Sequence, residues 1–241
     1  MHKPTSSTQT GIVYLIGAGP GAADLITLRG ANILARADVV LHDALVTPEM
    51  LAHCPQAQLI SVGKRSGQRS ASQTHINEQL VNAAQTHAIV VRLKGGDPML
   101  FGRADEEMTA LEQAGIEFEV VPGITSAMAA AASVKQPLTK RGIARSVGFF
   151  TSSTAPGEAE ETRIPDCDTL VQYMGGKEAT LTANRMLAKG YPPMHPIVVI
   201  ESASRPEQNY QHLTLADLAK GLPNCTGPVL VMMGEAMRKR G

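Results

Sequence analysis

Five short apolar runs, rich in β-branched residues, punctuate the first half of the chain at residues 12–16, 39–41, 59–62, 89–93 and 118–121. Each is too short for a helix and reads as a strand buried in a sheet. Helical patterns lie between several of them: about 24–35 with Asp24 as cap, roughly 75–85 after Ser72 and Thr74, and about 104–114. Strands alternating with helices predict parallel βαβ units in a sheet covered on both faces.

The second half is looser. Residues 124–134 are small and alanine-rich, which predicts a closely packed helix ended by Pro137. Strands are expected at 147–151, 169–173, 197–200 and 229–233, and a helix at about 178–189. The polar stretch 152–168, with two prolines, reads as a surface loop. The expected fold class is therefore α/β in two domains, an N-terminal parallel sheet over 11–123 and a C-terminal mixed sheet over 124–241, after a disordered lead-in at 1–10.

Composition narrows the function classes. With 22 basic and 22 acidic residues the formal charge is zero, so the basic footprint of a nucleic-acid-binding protein is missing. No apolar run has membrane-spanning length, and MHKPTSSTQT lacks the apolar core of a signal peptide. Cys54, Cys167 and Cys225 form no CxxC pair, and His42, His75 and His195 have no ligand spacing. The expectation is a cytoplasmic chain without a metal site.

Two glycine turns follow strands. Residues 17–22, GAGPGA, satisfy G-x-G-x-x-G/A, and Asp38 and Asp43 lie about 20 residues on, as in a dinucleotide site. Pro20 removes one of the N–H groups that would cradle a pyrophosphate. The same turn can instead admit an uncharged ligand group close to the backbone. The second turn, Gly95-Gly96-Asp97-Pro98, ends the run VVRLKGGDPMLFGRADEE and presents bare backbone at the carboxyl edge of a sheet, where α/β proteins bind ligands. A tight strand-to-helix connection would use these residue types too.

Taken in order, VYLIGAGPGAADLITLRG, VVLHDALV, VGKRSG, VRLKGGDPMLFGRADEE, VPGITSAMAAAA, PLTKRGIARSV, TLVQYMGG and GPVLVMMGE resemble the uroporphyrinogen-III C-methyltransferases. These belong to the tetrapyrrole (corrin/porphyrin) methylases that use S-adenosylmethionine. The resemblance runs from Ile12 to Glu235. It implies two α/β domains with the cofactor in the cleft between them, a homodimer, and two methyl transfers to pyrrole carbons of uroporphyrinogen III. The product would be precorrin-2, a precursor of sirohaem, cobalamin-type corrinoids or haem d1, with S-adenosylhomocysteine released. By motif position it implies cofactor contacts at Pro20, Gly95, Gly96, Asp97, Leu100, Thr125, Ser126, Met174 and Ala203, with Gly227 and Pro228 closing the adenine end. It implies a proton acceptor at Asp43 and a proton donor at Lys64, with Glu106 as a further catalytic carboxylate. Arg103, Arg141 and Met174 would face the substrate.

These residue types suit that chemistry. A methyl group on sulfonium is already activated and needs alignment with an electron-rich carbon. The attacked macrocycle carries positive charge and must lose a proton, which a carboxylate can take. Substrate carboxylates ask for bidentate arginines. Several positions depart from the family pattern: Ala44 replaces an arginine, Lys140 a histidine, Gly142-Ile143 a more polar pair, and Thr151-Ser152-Ser153 a T-G-H turn. The length implies a chain without the dehydrogenase and chelatase half of fused sirohaem synthases. Other readings are a methylase of a later precorrin, a nicotinamide-dependent oxidoreductase, and a non-catalytic tetrapyrrole carrier.

Overall fold

The computed structural model describes residues 10–63, 73–153, 163–222 and 225–239, with only the backbone described at Lys177. Most of the expected lead-in at 1–10 lies outside the described residues. The chain divides into two compact units, one ending at Thr125 and the other beginning at Ser126.

The first unit holds β1 (Ile12–Gly17), α1 (Leu28–Leu34), β2 (Val39–His42), α2 (Pro48–Leu51), β3 (Gln58–Ser61), α3 (Gln73–Thr86), β4 (Ile89–Lys94), α4 (Ala104–Gln113) and β5 (Phe118–Val121). The strands form one parallel sheet in the order β3-β2-β4-β1-β5. Successive side chains sort to opposite faces. Val13, Leu15, Val39, Leu41 and Val90 pack under α3 and α4 against Ile76, Leu80 and Leu111. Ile16, Val40, Val91, Leu93 and Val121 pack on the other face against Ile33 and Leu34 of α1 and Met50 of α2. Covering both faces is why the strands read as continuous apolar runs. The helix that follows β1 and the helix that follows β4 lie on opposite faces of neighbouring strands. Their shared carboxyl edge is thus a topological switch point, the usual ligand position in such sheets.

Local differences from the sequence expectation have local causes. Asp24 caps no long helix: Ala23–Leu25 is a single 3-10 turn, and α1 starts at Leu28. The cap is Thr27, whose hydroxyl accepts the Gly30 N–H at 3.1 Å. Thr74 lies inside α3, and Ser72 is outside the described residues. The short α2 was not expected; Thr47 caps it and Pro48 pre-sets its first turn.

The second unit holds α5 (Ser126–Ser133), β6 (Val147–Thr151), β7 (Thr169–Tyr173), α6 (Gly175–Ala188), β8 (Pro196–Glu201), β9 (Asn209–Thr214), α7 (Leu215–Lys220) and β10 (Val229–Met233). Its mixed sheet has the order β6-β7-β10-β8-β9, with β6 parallel to β7 and the other pairs antiparallel. Again both faces are covered, by Val171, Val198, Leu230 and Met232 on one side and Leu170, Ile197, Val199 and Val231 on the other. The carboxyl ends of β7 and β8 therefore share an edge with the start of β10.

Two elements went unseen in the sequence. β9 is a half-exposed edge strand, NYQHLT, with little apolar signal. α7 is only six residues long but begins with a capping box, in which the Thr214 hydroxyl accepts the Asp217 N–H and the Asp217 carboxylate accepts the Thr214 N–H. Thr214→Ala should lower the stability of this unit by about 1 kcal/mol, readable as a shifted denaturation midpoint. An unchanged midpoint would mean that the box holds nothing.

Candidate functional site

In the first unit three chain segments meet at backbone level where β1, β4 and β5 end. Gly19 and Gly96 exchange both backbone hydrogen bonds, Gly19 N–H to Gly96 O at 3.1 Å and Gly96 N–H to Gly19 O at 2.7 Å. A Cβ at Gly123 would collide with the Gly96 carbonyl and the Gly17 backbone. Asp97 locks the junction: Oδ1 accepts the Met99 N–H at 2.8 Å and Oδ2 the Gly123 N–H at 2.9 Å. Only glycine fits where strand ends approach this closely.

The junction leaves bare surface. A Cβ on Gly96, whose φ is +69°, would find nothing nearer than the Thr125 Cα at 4.0 Å. One on Gly95 would meet only the Leu45 side chain in ordinary contact. Pro20 and Leu100 are half-buried, and the Leu100 N–H bonds to the Asp97 carbonyl at 3.3 Å. Pro20, Gly95, Gly96, Asp97, Leu100 and Thr125 thus come from the three segments that leave β1, β4 and β5. The arrangement does not suit a pyrophosphate. The Gly19 N–H is spent on Gly96, Pro20 has none, and no helix starts at the turn.

Beneath this edge lies a buried charge cluster. Arg92 is 3% exposed, Lys94 2% and Glu107 fully buried. Arg92 Nε donates to Glu107 Oε1 at 2.9 Å, and Lys94 Nζ to Glu107 Oε2 at 2.8 Å. The other end of the guanidinium donates to Asp43 Oδ1 at 2.5 Å, and its Nη1 to the Leu93 carbonyl at 3.2 Å. Burial alone would lower the Arg92 pKa, but the charges of Asp43 and Glu107 outweigh it and raise it above the ordinary value. Lys94 is lowered, first by burial and then by the Arg92 charge, with Glu107 offsetting only part. Two cations and two carboxylates balance. That balance makes such burial tolerable.

Asp43 follows β2 with its side chain 30% exposed, so this carboxylate has one oxygen on Arg92 and an accessible flank. Its Oδ2 lies 3.4 Å from the Gly95 N–H. Lys64 lies outside the described residues; its chain neighbour Gly63 packs on the Asp43–Ala44 backbone.

Glu106 and Glu107 are adjacent in sequence and face different settings. Glu106 is exposed and forms a two-pronged pair with Arg103, at 2.7 and 2.8 Å. Arg103 itself sits at φ +55°, and Phe101 at φ +51°. Two non-glycine residues in the left-handed region within one loop carry strain of the kind found at functional sites. Arg103 therefore has its fork filled by Glu106, which an incoming carboxylate would have to displace.

In the second unit Met174 is 51% exposed, with φ +55°, directly between β7 and α6. It is no core filler. Gly175 follows because a Cβ there would press on the Val231 side chain at 2.9 Å. Ala203 is buried between Ser202 and Ser204, both at positive φ. The Ser202 N–H bonds to the Pro228 carbonyl at 2.9 Å, and a Cβ at Gly227 would strike the Ser202 hydroxyl. Glu201 Oε1 accepts the Thr226 and Gly227 N–H groups at 2.6 and 2.5 Å, which fixes that turn. Met174, Gly227 and Pro228, with Ser153, Gly176 and Glu178, line a depression of about 270 Å³. Ser126 starts α5 in the same unit.

Arg141 is exposed at the tip of a tight turn closed by the Lys140 and Ala144 backbones, where Gly142 takes φ +77°. Arg141 and Arg145 share no helix. Ser152 bonds to the buried Gln172 and Thr182 at 2.9 and 3.2 Å. Among the described residues no group of three or more His, Cys, Asp or Glu could hold a metal, and no helix is long and apolar enough to cross a membrane.

Sequence reasoning missed Arg92, Lys94, Glu107 and Glu201. Arg92 and Lys94 did carry a signal. They alternate with apolar residues in a strand of a two-sided buried sheet, where charges are rare unless paired.

Residues 12–219 match the family model of the Tetrapyrrole (Corrin/Porphyrin) Methylases. The chain is 43% identical to the uroporphyrinogen-III C-methyltransferase of Cyanidium caldarium, over 82% of this chain and 81% of that protein. It is 40% identical to the chloroplastic S-adenosyl-L-methionine-dependent uroporphyrinogen III methyltransferase of Arabidopsis thaliana, covering 94% of this chain and 64% of that one. It spans about half the length of the siroheme synthases it matches, 49% of siroheme synthase 2 from Yersinia pestis at 42% identity. The uroporphyrin-III C-methyl transferase of Thermus thermophilus, solved in complex with S-adenyl homocysteine, superposes with a TM-score of 0.82 at 37% identity over 95% of this chain and 94% of that one. A cobalt precorrin-4 methyltransferase superposes at 0.78 with 26% identity over 99% of this chain and all of that one. On this breadth of match, the chain belongs to the tetrapyrrole methylase family.

Proposed function

We propose that this chain is an S-adenosylmethionine-dependent methyltransferase that methylates uroporphyrinogen III at two pyrrole carbons to give precorrin-2. The observation that carries the reading is the glycine junction, where Gly17, Gly96 and Gly123 meet and the backbone of Gly95–Gly96 stays open in front of Thr125. A flat, weakly charged group fits such a surface, and a pyrophosphate does not, which sets the nicotinamide reading aside. Two relatives matched over most of their own length, at 43% and 37% identity, are named for uroporphyrinogen-III or uroporphyrin-III C-methyl transfer.

Bound at these residues, S-adenosylmethionine supplies a methyl group on sulfonium, already activated for transfer. The protein's own part is alignment and proton handling. Pro20, Gly95, Gly96, Asp97, Leu100 and Thr125 of the first unit are the proposed cofactor contacts, with Ser126, Met174, Ala203, Gly227 and Pro228 of the second. Among the described residues each Asp97 oxygen accepts a single N–H, which leaves a lone pair on each for a hydroxyl or ammonium of the ligand. Asp43, held by Arg92, takes the proton that the methylated pyrrole must lose. Lys64 is kept as the proposed donor. Glu106 releases Arg103 to a substrate carboxylate and leaves its own carboxylate near the developing cation. Homodimer assembly and a cytoplasmic setting belong to the same proposal and rest on the family resemblance.

Arg141→Ala should raise KM for the tetrapyrrole by roughly tenfold, the worth of one charge-assisted contact, while S-adenosylmethionine affinity stays within about twofold. Equal loss of both would contradict its assignment to substrate. The reading as a whole is tested by following S-adenosylhomocysteine release under anaerobic conditions, which must depend on added uroporphyrinogen III. Release that needs a later precorrin instead would move the chain to a sister activity.

A further inference from the structure

We infer that Arg92, braced by Glu107 and Lys94, is a positioning residue that fixes the carboxylate of Asp43 for proton removal. This rests on the methyltransferase reading, in which Asp43 takes the proton. Asp43 stands in a short segment after β2, where a free aspartate would sample several rotamers. One of its oxygens is pinned by the guanidinium at 2.5 Å. The guanidinium cannot swing, because it is 3% exposed and its Nε is held by Glu107 at 2.9 Å. Its Nη1 is spent on the Leu93 carbonyl at 3.2 Å. Glu107 in turn is fixed from the far side by Lys94 at 2.8 Å, with Gln73 Nε2 at 3.3 Å from Oε1.

The chain of contacts runs from α4 through β4 to the end of β2, and only its last member is substantially open to solvent. Stability alone does not explain it. A buried ionic group is commonly no more stabilising than apolar residues of the same volume, and what this one adds over such residues is a fixed geometry at Asp43. Lys94 ties in a second element: a Cβ on Gly102 would come within 3.1 Å of the Lys94 stem. The same cluster therefore lies against the loop that carries Arg103, while Asp43 Oδ2 faces the Gly95 N–H at 3.4 Å. Planarity and two separate prongs are what this task needs. Lysine in place of Arg92 keeps the charge and can reach one carboxylate, but not both.

The test is a double-mutant cycle on the full chain. Single-turnover methyl transfer to uroporphyrinogen III is measured for the wild type, Arg92→Lys, Asp43→Asn and the double variant, with S-adenosylmethionine affinity measured beside it. Arg92→Lys should slow transfer by about tenfold to a hundredfold with cofactor affinity unchanged, and should cause no further loss once Asp43 is Asn. An equal loss in both backgrounds, or a loss of cofactor affinity that accounts for the rate, would overturn the inference. Should Arg92→Lys fail to fold, Lys94→Met/Glu107→Gln removes one charge of each sign, keeps the volumes and leaves Arg92 Nε only a neutral amide oxygen as acceptor, a weaker hold than the carboxylate. It replaces Arg92→Lys in the same cycle with the same expectation. Absence of transfer by the wild type would instead refute the methyltransferase reading itself.

Discussion

Glu107→Ala is expected to destabilise the first unit by about 3–5 kcal/mol, the cost of leaving buried charge uncompensated. Glu107 is fully buried and, among the described residues, is the one carboxylate bonded to Lys94, whose Nζ is 2.8 Å away. Without it, two buried cations face the single charge of Asp43. Lys94, already lowered by burial and by Arg92, would deprotonate more readily, so the penalty should shrink as pH rises toward the alkaline range. The sign follows from a folded-state lysine pKa below its unfolded value: stability is lost as pH falls, because the unfolded state binds the proton more tightly. Denaturant titrations at two pH values, read by a probe placed in the first unit, measure this directly. A change below about 1 kcal/mol would mean that the cluster is solvated.

Gly123→Ala should have the second largest effect, and on a different property. Its methyl group would overlap the Gly96 carbonyl and come 2.7 Å from the Gly17 Cα, so backbone must yield on both sides. Overpacking of this sort costs about 1–3 kcal/mol. Parting the junction also breaks the Asp97–Gly123 bond and tilts Gly96, so S-adenosylmethionine affinity should fall by on the order of a hundredfold, or about 2.7 kcal/mol. Gly115→Ala is the control. That glycine has φ +68°, unlike Gly123, and nothing within 4 Å of the added methyl. It should lose stability by about 1 kcal/mol from backbone strain alone, with unchanged affinity. Equal affinity in Gly123→Ala and the wild type would detach the junction from the cofactor.

The central strands of the first unit were legible because burial on both faces leaves an uninterrupted apolar run, as at residues 39–41. β9 was not, because an edge strand such as NYQHLT has one wet side and pairs through backbone groups that any sequence carries. The junction was half legible. Glycines after β1, β4 and β5 could be read as turns, but the mutual hydrogen bonds of Gly19 and Gly96 join residues far apart in sequence. The Asp43–Arg92 pair spans 49 positions, which no local pattern encodes. The roles of Glu106 and Glu107 could not be divided from composition either. Adjacent helix positions point about 100° apart, and only the fold shows which carboxylate meets Arg92 and which meets Arg103. Met174 entered the site by motif position alone, because nothing in its residue type signals the positive φ and exposure it has at the sheet edge.

The most direct measurement of the central claim is the mass of the tetrapyrrole after anaerobic incubation of the full chain with methyl-deuterated S-adenosylmethionine and freshly reduced uroporphyrinogen III. The account predicts a product carrying two labelled methyl groups. Cofactor bound with its expected affinity but no label on the tetrapyrrole would contradict it.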